Sequence, residues 1–492
     1  MQYNLQMEEV KELAKQAQGN LIPLTTELFS DKLTPLSVLE RMKNTGSHCF
    51  LLESVEACQR WGRYTFLGYD PTLKVTCTDH LLTITDSIGN VQTQKANPQE
   101  FIRSLLSNYR SIPLSNLPPF TGGLVGYFSY DYIKYSEPTL NLDAQDIEQF
   151  NDVDLMLFET VICFDNYRQK IILITNIHLE DEQNGYKKAQ DQLINLRNLI
   201  LSDSPIEHQI GLLQGPFEYL FDEECYCTMV EKAKKHIYEG DVFQVVLSNR
   251  LQAPFRGSLI DTYRLLRTTN PSPYMFYLNI GEVEIAGASP ETLVKLQDGI
   301  LHTFPLAGTR PRGRTNEEDL AHEQSLLSDE KELAEHNMLV DLGRNDLGKI
   351  SKFGSVFVEK YLSVERFSHV MHLGSTVKGE IQLGYDALDA ISAVLPAGTL
   401  SGAPKIRACQ IINELENNKR GMYGGAIGYI GFSGNMDTCI AIRIAYKKNG
   451  KVFVRSGAGI VADSNPQTEW NECIHKSKAV TNALTTASGG LL

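Results

Sequence analysis

The chain contains, at residues 81–94, the stretch Leu-Leu-Thr-Ile-Thr-Asp-Ser-Ile-Gly-Asn-Val-Gln-Thr-Gln. Leu81–Thr85 and Val91–Gln94 have the composition of β-strands, and Ile88-Gly89-Asn90 between them predicts a short turn. The same pattern recurs in three other places: Val161–Asp165 with Lys170–Ile174, around Asp298-Gly299, and around Asn449-Gly450. Because strands joined by short turns pair with their neighbours, the sequence predicts antiparallel sheets.

Helical patterns separate these hairpins. They predict helices over about residues 181–201, 222–240, 316–350, 404–417 and 466–487. Paired strands interrupted by helices indicate the α+β class. An irregular stretch begins at Ser202-Asp203-Ser204-Pro205, so we expect an N-terminal domain over residues 1–205 and a second domain over residues 215–492.

The composition is that of a soluble globular enzyme. The 492 residues are 42% hydrophobic and 22% charged, with a formal net charge of -14 and no block of Lys or Arg. Such a chain does not favour nucleic acid or another polyanion as a partner. The nine cysteines follow no disulfide or metal-binding spacing. Because neither a signal-peptide core nor a run of 18 apolar residues occurs, we expect a cytoplasmic location and no membrane.

Carboxylates recur at helical spacing in two of the predicted helices. Glu332 and Glu335 share one helix face, and Glu469, Glu472 and Lys476 share another. Either group alone is typical of a solvated helix face. Two facing pairs would instead offer the oxygen ligands that Mg²⁺ prefers.

Anion-binding features follow. Arg443 is predicted on a strand between Ala441 and Ala445, where it either binds a ligand carboxylate or pairs with a local acid. Gly457 and Gly459 allow the backbone to aim N–H groups at an anion. Thr399 precedes a helix, where it is either an ordinary capping residue or part of an anion site.

Two single residues could transfer protons. Glu291 lies at the entrance of a predicted strand, where it is either an exposed carboxyl or a general acid. His372 lies in a partly apolar segment, where it is either a core residue or a catalyst. Together these features indicate a metal-assisted elimination or substitution on a small polyanion.

Seven segments, in this order, resemble the chorismate-utilising enzymes: Gly240–Gln244, Gly287–Glu291, Pro305–Arg312, Lys331–Leu342, Leu395–Lys405, Gly421–Gly425 and Gly457–Gly459. The resemblance implies that antiparallel sheets pack as a sandwich with helices on the outside. It further implies a tryptophan site in the N-terminal domain and a chorismate site in the C-terminal domain.

The resemblance also assigns the metal and the catalytic residues. Glu335 and Glu472 would hold Mg²⁺, supported by Glu332 and Glu469. The three expected catalytic residues are Glu291, which protonates the departing 4-hydroxyl, His372, which acts in the elimination of pyruvate, and Thr399, which positions a reacting group.

The substrate and inhibitor contacts follow from the same resemblance. The expected chorismate contacts are Gly308, Thr309, Tyr423, Arg443, Gly457, Ala458, Gly459 and Lys476. Leu51–Ser54 resembles the tryptophan site of the family, and its expected contacts are Ser54, Pro273, Tyr274 and Met275.

Two positions discriminate between branches of the family. Relatives that use water carry Lys where Gln244 stands, and relatives that make aminodeoxychorismate usually carry Lys in place of Ala307. Both positions favour the anthranilate synthase branch, in which chorismate and ammonia give anthranilate and pyruvate under feedback by tryptophan. The alternatives are an aminodeoxychorismate synthase component, an isochorismate-type synthase, or a regulator without activity.

A glutaminase signature of the form G-x-C-x-G is missing from the sequence. The resemblance therefore implies a separate glutamine amidotransferase subunit that supplies ammonia. We expect a heterotetramer of two large and two small subunits.

Overall fold

A computed structural model describes residues 1–16, 19–54, 62–366 and 370–490. The strands in these residues are β1 (Leu21–Phe29), β2 (His48–Glu53), β3 (Tyr64–Tyr69), β4 (Leu73–Thr78), β5 (Leu81–Asp86), β6 (Val91–Lys95), β7 (Gly123–Phe128), β8 (Val153–Phe158), β9 (Thr160–Asp165), β10 (Lys170–His178), β11 (Leu212–Leu213), β12 (Glu218–Tyr219), β13 (Gln244–Arg256), β14 (Tyr274–Ile280), β15 (Glu284–Ser289), β16 (Thr292–Gln297), β17 (Ile300–Thr303), β18 (Leu306–Pro311), β19 (Phe357–Arg366), β20 (Val370–Glu380), β21 (Gly402–Ala403), β22 (Ala426–Gly431), β23 (Met436–Ile440), β24 (Ile444–Lys448) and β25 (Lys451–Ile460).

The α-helices in the same residues are α1 (Met7–Gln16), α2 (Pro35–Thr45), α3 (Pro98–Ser107), α4 (Ile133–Ser136), α5 (Glu182–Ile200), α6 (Glu223–Tyr238), α7 (Ile260–Thr269), α8 (Asn316–Leu327), α9 (Glu330–Gly348), α10 (Ala387–Val394), α11 (Lys405–Glu416) and α12 (Pro466–Ser488). None of these helices is long and apolar enough to cross a membrane.

The strands form two sheets of antiparallel pairs. The first has the order β1-β10-β9-β3-β2-β14-β15-β24-β25-β13-β11, and β12 and β21 also pair with β13. The second has the order β18-β20-β17-β16-β23-β22-β7-β8-β4-β5-β6, and β19 also pairs with β20. The predicted α+β class with antiparallel sheets is confirmed.

Buried side chains show how the layers stack. Phe50 and Phe276 of the first sheet share a core with Tyr127 and Tyr429 of the second, so the two sheets face each other. The outer face of the first sheet packs against α5, α7 and α12, and that of the second packs against α9 and α10. The predicted sandwich with helices outside is therefore confirmed.

Each sheet contains strands from both halves of the sequence. In the first sheet β2 pairs with β14, with Phe50 opposite Leu278. In the second β7 pairs with β22, with Gly126 opposite Gly428. Residues 202–211, where a boundary is predicted, contain no helix or strand. The predicted domains, 1–205 and 215–492, are thus joined through both sheets.

Local turn and capping chemistry sets the boundaries of individual elements. Asn449 and Gly450 both adopt positive φ, as a two-residue hairpin turn requires, and join β24 to β25. The single helix predicted over 316–350 is wrong, because α8 ends at Leu327 and α9 begins at Glu330. The Asp329 carboxylate accepts hydrogen bonds from the backbone N–H groups of Lys331 and Glu332, so it caps a new helix.

Candidate active site

Glu291 lies where the chain crosses between the sheets, after β15 of the first and before β16 of the second. The hydroxyl of Thr399, in the 3₁₀ helix Gly398–Leu400, donates to Glu291 Oε1 over 3.0 Å. Burial raises the pKa of Glu291 to about 7, although this hydrogen bond and the charges of Arg443 and Lys476 act in the opposite direction. The described residues give Glu291 no ion pair, so the carboxyl can exchange a proton near neutral pH.

Arg443 lies at a second crossing, between β23 of the second sheet and β24 of the first. The prediction that it lies on a strand is wrong, because its φ is 52° and the strand resumes only at Ile444. A left-handed conformation is uncommon for a residue other than glycine and is often found at functional sites. In the described part of the chain Arg443 pairs with no acidic side chain, so its guanidinium is available to a ligand.

His372 is fixed by a bulge in the pairing of β18 with β20. Gly308 interrupts the register with a φ of 66°, and its carbonyl lies 2.8 Å from His372 Nδ1. The Thr309 hydroxyl is 3.1 Å from the same nitrogen. Burial lowers the pKa of His372, so the imidazole is neutral at physiological pH and available as a base.

A second group of predicted contacts lies on β25. A Cβ atom built on Gly457 would approach the Tyr423 hydroxyl to 3.1 Å, and one on Gly459 would approach Gln244 Nε2 to 2.6 Å. The two glycines therefore allow both polar side chains to lie close to the strand. The side chain of Ala458 is instead buried in a core with α6 and α11, so only its backbone is available to a ligand.

The four predicted carboxylates lie on α9 and α12. Burial raises the pKa of Glu335, and the negative charges of Glu332 and Glu472 raise it further. Burial and the charge of Glu472 also raise the pKa of Glu469. Lys476 Nζ is 2.6 Å from Glu472 Oε1 and donates to the Gly457 carbonyl, which joins α12 to β25.

The donor chemistry of this group fits Mg²⁺. Carboxylate oxygens are its preferred protein ligands, and the mutual repulsion that raises the pKa of Glu335 would be relieved by a cation. Glu335 and Glu472 are exposed, whereas Glu469 is buried. Within the described ranges, only His236, Glu239 and Asp241 bring three such ligand atoms within 4.8 Å of one another. An open arrangement suits an ion that keeps water and binds substrate oxygens.

A cavity of about 630 Å³ lies against some of these residues, and its volume suits a small-molecule ligand. Its walls include Pro290, His372, Arg443, Glu472 and Lys476. Glu291 and Thr399 instead line a smaller cavity of about 50 Å³. Sequence reasoning missed further residues that line the larger cavity, among them Asn270, Ser272, Thr468, Asn471 and His475. A signal for the last three existed, because they repeat at helical spacing beside Glu472 and Lys476.

The residues of the predicted tryptophan site line a separate cavity of about 210 Å³. Ser54, Pro273, Tyr274 and Met275 meet there, with apolar walls that include Phe66. The Ser54 hydroxyl oxygen is buried without a hydrogen-bond partner among the described residues. Pro273 lines both this cavity and the larger one, so the two cavities share a wall residue.

The family of the chain follows from comparison with known proteins. The model of the chorismate binding enzyme family matches residues 47–482. The chain belongs to this family.

Its relatives include two proteins named anthranilate synthase component 1. That of Acinetobacter calcoaceticus is 46% identical, with 98% of each chain covered. That of Acetivibrio thermocellus is 44% identical, with 97% of this chain and 98% of the relative covered. The crystal structure of anthranilate synthase component I from Streptococcus pneumoniae TIGR4 matches with a TM-score of 0.78 and 38% identity, and covers 92% of this chain and 99% of that chain. The resemblance predicted from the seven segments is confirmed.

Proposed function

We propose that this chain is the aminating subunit of an anthranilate synthase, which converts chorismate and ammonia to anthranilate and pyruvate. The observation that carries the proposal is the Glu291 carboxyl, with a pKa of about 7, which accepts a hydrogen bond from Thr399 and feels the charge of the Arg443 guanidinium. Gln244 and Ala307 favour amination to anthranilate, because neither side chain serves as a general base or as a covalent nucleophile at C2.

In this proposal, each step of the reaction depends on particular residues of the chain. Arg443 holds the enolpyruvyl carboxylate of chorismate while ammonia adds at C2. Glu291 donates its proton to the hydroxyl that leaves C4 as water, and Thr399 keeps the carboxyl in position. Neutral His372 acts in the second step, in which the C2 proton is lost as pyruvate departs.

Mg²⁺ completes this proposal as an electrostatic stabiliser of the ring carboxylate. Glu335 and Glu472 would hold it, with Glu332 and Glu469 as outer support. Lys476 would balance the negative charge on α12 through its contact with Glu472.

A second subunit and an inhibitor belong to the same proposal. The relatives are named as the first component of an anthranilate synthase. We therefore expect a glutamine amidotransferase subunit that supplies ammonia, in a complex of two large and two small subunits. Tryptophan would bind in the cavity of about 210 Å³, where the Ser54 hydroxyl is ready for a polar group of the ligand. Shared contact with Pro273 offers a direct route for feedback.

The test is anthranilate fluorescence on mixing the purified chain with chorismate, ammonium chloride and Mg²⁺, with and without tryptophan. We expect a signal that requires Mg²⁺ and falls when tryptophan is added. Glu335→Gln should lose the signal, whereas Glu330→Gln, an exposed glutamate on the same helix, should keep it.

Other outcomes point elsewhere. An aminated product that is not aromatic would indicate the aminodeoxychorismate branch, and an isomer of chorismate would indicate an isochorismate-type synthase. Fluorescence that tryptophan leaves unchanged would keep the enzyme and refute the feedback site.

A further inference from the structure

Arg420 occupies the protein interior directly behind the candidate active site. It is 3% exposed and lies between the end of α11 and the turn that carries Tyr423. Its Nη1 atom donates to the Leu400 carbonyl over 2.6 Å, and its Nη2 atom donates to the Val246 carbonyl over 2.7 Å. Its Nε atom donates to Glu416 over 3.0 Å. The guanidinium thus binds three separate parts of the chain.

The same guanidinium also packs against two aromatic rings. Its central carbon lies 4.7 Å from the ring centre of Tyr130 and 5.9 Å from that of Tyr423. Contacts of this kind between a cation and a ring are attractive, and more so in a desolvated interior. Arg420 therefore supports the inner side of Tyr423, whose hydroxyl lies beside Gly457.

Each of these contacts is one step from a residue of the site. Leu400 follows Thr399 in the 3₁₀ helix, and the Thr399 hydroxyl donates to Glu291. Val246 pairs with Gly459 across β13 and β25. One buried side chain thus connects three parts of the site: the segment with the Thr399 hydroxyl that donates to Glu291, the ring of Tyr423, and strand β25 with Gly457 and Gly459.

Arg455 offers a natural comparison within the same buried network. Both arginines donate to Glu416, and Arg455 is 2% exposed. The remaining hydrogen bonds of Arg455 go to Ser248, Asn418 and the Lys419 carbonyl. Its hydrogen bonds therefore do not include the 3₁₀ helix that carries Thr399.

We infer that Arg420 is a positioning residue for the acid of this site. By binding the Leu400 carbonyl, it keeps the Thr399 hydroxyl within hydrogen-bond distance of Glu291. By packing on the ring of Tyr423, it also fixes that expected substrate contact. This inference rests on the proposed role of Glu291 as the acid that protonates the leaving hydroxyl.

The role has a measurable signature, because a hydroxyl that donates to a carboxylate favours its ionised form. The groups that face Glu291 are Thr399 from the 3₁₀ helix, Arg443 from the turn after β23, and Lys476 from α12. Loss of the Thr399 bond would raise the pKa of Glu291. The basic limb of the kcat profile would then move to higher pH.

The experiment compares the wild type with Arg420→Lys, Arg455→Lys and Thr399→Val. For each protein, kcat for anthranilate formation is measured against pH at constant free ammonia, and stability is measured by urea unfolding. Arg420→Lys keeps the positive charge but cannot satisfy the same carbonyls and the carboxylate together. We expect Arg420→Lys and Thr399→Val to move the basic limb upward by roughly one pH unit. Arg455→Lys should lose stability comparably and keep the wild-type limb.

The proposal is overturned if Arg420→Lys keeps the wild-type limb while Thr399→Val shifts it, or if neither variant shifts it. It is also overturned if Arg455→Lys shifts the limb equally, because the effect would then be general loosening. If Glu291→Gln retains wild-type kcat, the proposed function itself fails, which is a separate result.

A milder variant covers the case in which Arg420→Lys does not fold. Tyr130→Leu removes the ring under the guanidinium and leaves Arg420 intact. We expect a smaller shift of the limb in the same direction. An unchanged limb in a folded Tyr130→Leu protein would count against the proposal.

Discussion

Glu291 is partly buried and Glu416 is fully buried, and the surroundings of the two side chains shift the carboxyl pKa in opposite directions. Burial raises the pKa of Glu291 to about 7, because among the described residues its carboxylate oxygens accept a side-chain hydrogen bond only from the neutral hydroxyl of Thr399. Burial acts on Glu416 in the same sense, but Arg420 and Arg455 outweigh it and hold the pKa of Glu416 below its usual value. Direct contact with a cation therefore decides whether a desolvated carboxyl exchanges protons or stays a fixed anion.

The largest expected effect tests the first half of this comparison. Glu291→Gln should lower kcat by about 10²- to 10⁴-fold, because the variant has no proton to give to the leaving hydroxyl. Folding should be preserved, since glutamine resembles the protonated carboxyl in shape. Anthranilate fluorescence measures kcat, and urea unfolding measures the free energy of unfolding. Glu282→Gln, at an exposed turn, is the control, and a kcat within tenfold of wild type would refute the role of Glu291.

Glu416→Gln tests the second half. The substitution leaves Arg420 and Arg455 buried without their shared anion, so the free energy of unfolding should fall by about 3–5 kcal/mol. Glu414→Gln on the same helix is exposed and should change it by less than about 0.5 kcal/mol. Equal losses for the two variants, measured by urea unfolding, would contradict a structural role for the Glu416 charge.

The pH dependence of stability should separate the two carboxyls. The folded-state pKa of Glu291 is above the unfolded value of 4.5, so its contribution to stability is complete below pH 4.5 and is lost as pH rises towards 7. Across that window the wild type should lose about 3 kcal/mol relative to Glu291→Gln. The lowered pKa of Glu416 has the opposite sign, so its contribution is present above pH 4.5 and is lost as pH falls. Parallel stability curves for wild type and Glu291→Gln would contradict the raised pKa.

The smallest effect extends the comparison to Ser54, whose hydroxyl has no partner in the part of the chain that is described. Ser54→Ala removes no side-chain hydrogen bond found among the described residues, so stability without tryptophan should stay within about 0.5 kcal/mol of wild type. Inhibition should require about 3- to 10-fold more tryptophan, because the loss of one hydrogen bond weakens binding by about that factor. Ser87→Ala, in an exposed turn, is the control. Unchanged inhibition would remove Ser54 from the site.

Features set by neighbouring residues could be predicted from the sequence. The turns at Asp298-Gly299 and Asn449-Gly450 were found because both residues of each turn adopt a positive φ that Gly, Asn and Asp tolerate. The break at Asp329 was missed although a capping residue was present, because strong helix formers flank it on both sides. The helix propensity of the flanking residues, summed together, outweighs the single capping signal of Asp329.

Features that depend on contacts between residues far apart in the chain could not be predicted from the sequence. The alternation from Ala441 to Ala445 predicts a strand at Arg443, yet the chain changes sheets at this point. The neighbourhood of Glu291 and Thr399, 108 residues apart, depends on the packing of both sheets. The catalytic roles of these two residues came from resemblance to a family, and they stay predictions.

The two joins between the halves, β2 with β14 and β7 with β22, have a consequence for folding. A chain cut within residues 202–211 would leave each fragment with one bare edge in each sheet, and such edges attract foreign strands. Each fragment alone should therefore aggregate, while the two together should reassemble. The intact protein should melt in a single cooperative transition, since opening either join exposes the apolar layer between the sheets.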